Sequence, residues 1–209
     1  MTSVPSERHP LAPFLPEGAA ILMLGSFPPK REKWSMEFFY PNWINDMWRI
    51  MGHIFMSDKD AFVCRDSEGN IMKRFDRERI EKFCREQGIA LFDAATEVRR
   101  LKDNASDKFL EIVETTDLGE LLERIPDCRI IVTTGQKATE VVADTFGCVI
   151  PAVGDKVEIK TGECRKLDFW RMPSSSRAYP MALEKKAEFY RRMFAEISDI
   201  TDKRQDTQD

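Results

Sequence analysis

Ala19-Ala-Ile-Leu-Met-Leu-Gly25 is a continuous apolar run that ends on a glycine. It is far too short to cross a bilayer, and it lacks the polar alternation of a half-exposed strand. Such a run is the pattern of a strand buried on both faces. Ile89-Ala-Leu-Phe92 and Arg129-Ile-Ile-Val-Thr133 repeat it. Between these runs the period changes to that of a helix. Asn45 to Phe55 sets Met47, Trp48, Met51 and Ile54 on one face, which places Trp48 in the core. Asp76 to Gln87 turns Ile80, Phe83 and Cys84 inward and stops at Gly88. Gln136 to Phe146 and Leu183 to Ile197 are two further helices. Buried strands alternating with helices predict an α/β fold with a mainly parallel central sheet.

The remaining segments fit around that frame. Residues 1–18 carry Pro5, Pro10, Pro13 and Pro16 and read as an extended entry. Residues 56–75 are mixed, with a turn at Asp66-Ser-Glu-Gly-Asn70. Residues 94–126 read as short helices, with Asp117 as a cap and Pro126 as a stop. Val157 to Met172 suggests a hairpin-like pair. One domain over residues 1–198 is expected, followed by a polar, frayed tail over 199–209.

The 209 residues include 32 Lys and Arg against 36 Asp and Glu, a net charge of −4. That excludes a protein coated with nucleic acid through bulk positive charge, but not one that uses a local basic face. Such a face is expected from Lys185, Lys186, Arg191 and Arg192 with Lys30, Arg31, Lys33 and Arg177. The five cysteines are scattered with no CxxC spacing, so neither a zinc ribbon nor a cysteine-ligated cluster is supported. His9 and His53 are the two histidines. No secretory leader or membrane span is apparent, and a reduced, cytoplasmic protein without metal or cofactor is expected.

In open α/β sheets ligands bind beyond the carboxyl ends of the strands. Two unusual segments fall there. Gly25-Ser-Phe-Pro-Pro29 combines close backbone approach at Gly25 with a loop stiffened by proline. Met172-Pro-Ser-Ser-Ser-Arg177 offers hydroxyls, backbone N–H groups and a charged fork suited to phosphate. Taken alone, a surface turn explains the serines equally well. A third segment, Phe38-Phe39-Tyr40-Pro-Asn42-Trp-Ile-Asn45, presents rings on which a base can stack and amides that can hold water or a base edge. Its plain alternative is core aromatics with Asn45 as a helix cap.

Together these segments resemble the uracil-DNA glycosylase superfamily. Gly25-Ser-Phe-Pro28 is similar to the first motif of the hypoxanthine-DNA glycosylase branch, as are Phe39-Tyr40 and the Asn45 to Trp48 spacing. Met172 to Arg177 and the helix after it resemble the second motif of the mismatch-specific uracil/thymine branch. Gly88-Ile-Ala-Leu-Phe-Asp93 with Ser106-Asp107, and Ile130 to Gly135 with Ala138, agree as well. The sequence departs at Phe27, where the best-known branches place aspartate or asparagine, and at Met172, where the uracil-specific branch has histidine.

The resemblance implies a three-layer α/β/α sandwich with a central sheet of about four strands. It implies a monomeric, monofunctional DNA glycosylase that excises uracil or hypoxanthine from DNA carrying a deaminated or mismatched base. Asn45 would be catalytic. Gly25, Ser26, Phe27, Phe39, Tyr40 and Asn42 would bind the base, and Pro28, Ser174, Ser175, Ser176 and Arg177 the DNA. A glycosylase for another modified base, or a DNA-binding scaffold that does not cut, are the alternatives, and Phe27 favours the latter.

Overall fold

The computed structural model describes residues 4–101, 109–162 and 165–205. Ser106, Asp107 and Cys164 lie outside the described residues. The three apolar runs form β2 (Ile21–Gly25), β5 (Ile89–Asp93) and β8 (Ile130–Thr133), and every residue in them is buried. They are joined by β10 (Arg165–Arg171) and β9 (Lys156–Thr161) in the order β5-β2-β8-β10-β9. The first four run parallel, and β9 returns antiparallel along β10 as the hairpin pattern implied. The central sheet thus has five strands against the expected four, because the 156–171 pair contributes both of its arms.

Three helices fall where the periodicity put them, α1 (Met47–Phe55), α2 (Arg77–Glu86) and α4 (Gln136–Phe146), while α5 (Leu183–Gln205) starts as expected and runs on past Ile197. Their boundaries have local causes. Asp76 accepts the Arg79 N–H and caps α2. Gly88 (φ 62°) supplies the left-handed turn that takes the chain from α2 into β5. Trp48 is 2% exposed and donates its indole N–H to the Phe39 carbonyl, so α1 anchors the aromatic loop before it. α1 in turn packs on α5.

Residues 94–101 and 109–115 differ from the expectation of short helices. They form β6 (Ala95–Arg100) and β7 (Leu110–Thr115), which pair with β1 (Ser6–Arg8) in a second, antiparallel sheet of order β1-β6-β7. Ala95, Val98 and Leu110 make a small core of their own beneath Phe27 and Ile112. Ala95 and Val98 are three residues apart because the β6–β7 register shifts around Glu97, so no clean strand alternation marks this segment. Among the described residues of this region, α3 (Leu118–Glu123), capped by Asp117, matches the helical reading. Residues 63–75 form a hairpin of β3 (Val63–Arg65) and β4 (Ile71–Phe75), turned at Asp66 to Asn70.

Candidate active site

The carboxyl ends of β5, β2, β8 and β10 carry, in that spatial order, Asp93, Gly25, Thr133 and Arg171. Gly25 pairs with Asp93 across the β2–β5 ladder. A Cβ at position 25 would collide with Asp93 Oδ1, so only glycine lets that carboxylate lie over the strand end. Ser26 Oγ accepts the Ala138 N–H at the start of α4 (3.3 Å), tying the first motif to the next strand's helix. Pro28 is buried, and its carbonyl accepts from Arg100 (2.6 Å), whose guanidinium also lies over the Phe27 ring.

The N-terminal segment delivers a residue that sequence reasoning did not place in the site. The His9 N–H bonds the Thr96 carbonyl as an extension of the β1–β6 pairing. Its ring then reaches Asp93, with Nε2 to Oδ2 at 2.9 Å and side chains 4% and 10% exposed. Nδ1 lies against the Leu11 backbone, 2.9 Å from its carbonyl and 3.2 Å from its N–H, while Nε2 faces the carboxylate, which as an acceptor takes its N–H. The ring meets Phe27 edge-on and stacks beside Phe39 and Phe92. For Asp93 a signal existed, a carboxylate closing a buried strand. For His9, in an irregular segment, there was none.

The two expected stacking residues sit differently. Phe39 is 4% exposed, among Phe38, Phe92 and His9. Tyr40 is half-buried with its backbone in the left-handed region (φ 49°), a strained conformation for a bulky residue. Its hydroxyl meets Thr134 Oγ1 at 3.1 Å, just beyond β8. Burial pushes its pKa well above the ordinary tyrosine value, so the phenol stays neutral and acts through hydrogen bonds.

The other two motif segments meet although 131 residues separate them. Asn45 and Ser176 form a β-bridge, and the Asp46 N–H donates to the Ser175 carbonyl at 2.8 Å. Asn45 Oδ1 accepts the Met47 N–H (2.8 Å), and Asn42 Oδ1 accepts the Ile44 N–H (3.1 Å). Ser174 Oγ accepts the Ser176 N–H and Ser176 Oγ the Ala178 N–H, while Ser175 is buried. The serine hydroxyls therefore brace the turn itself.

Arg177 pairs with Asp46 (Nε to Oδ1, 2.8 Å). Lys186 corrects the expected basic face. It is fully buried, bonding Asp46 Oδ2 (3.1 Å) and the Ser176 carbonyl (2.8 Å), because the buried Asp46 carboxylate requires a countercharge. Arg31 pairs with Glu37, and Arg192 bonds the Gly154 carbonyl. Among the described residues, no cluster of three or more His, Cys, Asp or Glu is arranged to hold a metal ion. No helix among them is long and apolar enough to cross a membrane.

No protein-family model and no curated protein matches the chain. Solved structures do. One is the solution NMR structure of a "putative uracil DNA glycosylase" from Methanosarcina acetivorans, 22% identical, with a TM-score of 0.56 over 88% of this chain and 97% of that one. The chain therefore shares that protein's fold along nearly the whole of both.

Proposed function

We propose that this protein is a monofunctional DNA glycosylase of the uracil-DNA glycosylase superfamily. It would flip a deaminated base, uracil or hypoxanthine, out of DNA and hydrolyse its N-glycosidic bond in base-excision repair, as a monomer and without a cofactor. The observation that carries this reading is the convergence of the Gly25, Tyr40, Asn45 and Ser174–Arg177 segments at neighbouring strand ends of a glycosylase-like fold.

The base must leave the stack before its glycosidic bond can be reached. In this reading Ser174 to Ser176, Ser26 and Pro28 hold the strand, Arg177 enters the vacated gap, and Tyr40 and Phe39 provide the aromatic wall. The C1′–N bond breaks with its electron pair moving to the base. Backbone N–H groups of the Gly25–Phe27 loop stabilise that anion, at about 3–4 kcal/mol per well-placed donor. Water positioned by Asn45 bonds to C1′, and its proton neutralises the departing base. Neither motif contains a lysine, so no Schiff-base strand cleavage follows.

Asp93 adds a reason for deaminated bases. His9 occupies Oδ2, and Oδ1 lies beside Gly25. An ionised carboxylate only accepts hydrogen bonds. Deamination turns the acceptor ring nitrogen of cytosine and adenine into an N–H donor, so Asp93 Oδ1 suits uracil N3–H and hypoxanthine N1–H.

The second reading, a DNA-binding scaffold that does not cut, draws on two observations. Phe27 occupies an acidic position of related motifs, and Asn45 Oδ1 is engaged as a cap. Strand scission after alkali treatment, on oligonucleotides with single uracil, hypoxanthine, xanthine or mismatched thymine, separates the readings. Release of uracil or hypoxanthine supports the first. Lesion binding without release supports the second, and release of xanthine or thymine alone makes it a glycosylase for another base.

A further inference from the structure

Asp46 follows the candidate catalytic Asn45, and its carboxylate is shared by two cations with contrasting exposure. Lys186 Nζ is fully buried on Oδ2, whereas the Arg177 side chain on Oδ1 is 44% exposed. Lys186 also holds the Ser176 carbonyl, so a single ammonium joins the start of α1 to the serine loop. On the other side of the loop, Arg49 is buried against the Trp43 and Phe75 rings and donates to the Trp43 and Asn45 carbonyls. Its pKa is lowered by burial and then by the charge of Arg177. Arg177 is thus held to Asp46 through Nε while 44% of its side-chain surface stays exposed.

We infer that Asp46 is a positioning residue that aims Arg177 at the DNA duplex, with Lys186 keeping its carboxylate neutralised when Arg177 is drawn to the nucleic acid. The inference rests on the glycosylase reading above. A guanidinium held at Nε has a fixed plane and a fixed outward direction, which an unpaired side chain of that length lacks. Because Lys186 stays on Oδ2, movement of Arg177 leaves no bare buried charge, so the same pair can orient the side chain and still release it. The backbone bonds between Asn45–Asp46 and Ser175–Ser176 carry this aim directly to the residue proposed to hold water.

The test is a double-mutant cycle on single-turnover base release from a duplex lesion, read beside binding affinity and thermal melting of the full chain. Asp46→Asn keeps the shape and an acceptor for Lys186 but places an amide against Arg177. It is expected to slow release on the order of 100-fold, the scale of misplacing an oriented group. The same substitution added to Arg177→Ala should cost nothing further. Arg177→Lys keeps the charge, loses the fork and, being half-exposed, tests the aim should Asp46→Asn fail to fold. It should release base no faster than Arg177→Ala.

Multiplicative losses in the cycle, an unchanged rate for Asp46→Asn, or full rescue by Arg177→Lys would overturn the positioning role while wild-type activity stands. Wild-type protein that releases no base from any lesion would instead overturn the glycosylase reading, and the inference with it.

Discussion

His9 Nε2 and Asp93 Oδ2 lie 2.9 Å apart, joining an N-terminal strap to the end of a central strand 84 residues later. Both side chains are nearly buried, so each is the other's main polar partner. His9→Leu would leave the carboxylate without its donor, at a cost of about 1–3 kcal/mol. Urea unfolding of the variant should show that loss, and base release should fall with it. An unchanged midpoint would mean that the pair is not a structural element.

Gly25→Ala tests the same corner from the other side. The added methyl meets Asp93 Oδ1 directly, and Tyr40 closes the space beyond. The carboxylate must swing away, breaking its bond to His9. Gly25→Ala is therefore expected to weaken lesion discrimination and to melt below the wild type. A melting temperature and base preference equal to wild type would refute the close approach.

Asn45→Ala should abolish base release while leaving affinity for lesion DNA within a few-fold, because the amide is assigned to water rather than to the duplex. Its Oδ1 also accepts the Met47 N–H at the start of α1, so about 1 kcal/mol of stability should go with it. Near-normal single-turnover rates with only the stability loss would make Asn45 a cap and nothing more. Asn42, the other amide of that loop, would then be tested in the same way.

Arg177→Ala should impair release most on well-paired duplex lesions and least on single strands. A side chain in the vacated gap blocks return of the base, and extrusion costs most from a paired stack, a few kcal/mol. Asn45→Ala should impair both substrates alike. Equal losses on single and double strands for Arg177→Ala would exclude the wedge.

Binding to duplex DNA should weaken steeply with salt despite the net charge of −4. Each phosphate neutralised adds about 0.9 to the slope of log affinity against log salt. Since Lys186 is buried, it adds no phosphate contact of its own to that slope. A flat wild-type dependence would count against DNA as a partner.

What the sequence by itself determined is the part set by local pattern. β2, β5 and β8 were legible because a strand buried on both faces needs every residue apolar. α1, α2, α4 and α5 were legible from their period, and Asp117 as a cap from the offset of a side chain to a free N–H. Gly25–Pro29 and Met172–Arg177 were legible as strand exits, and they follow β2 and β10.

The tertiary structure alone decided the pairings. β6 and β7 looked helical because Glu97, Arg99, Glu111 and Glu114 interrupt short runs, and their stabilising partner β1 lies at the far end of the chain. Lys186 looked like one more solvated charge on α5, until Asp46, 140 residues earlier, proved to be buried beside it. Whether a charge faces water depends on which groups packing brings against it, and local sequence carries no record of partners that distant. The His9–Asp93 and Asp46–Lys186 pairs formed only when distant segments of the chain were packed together.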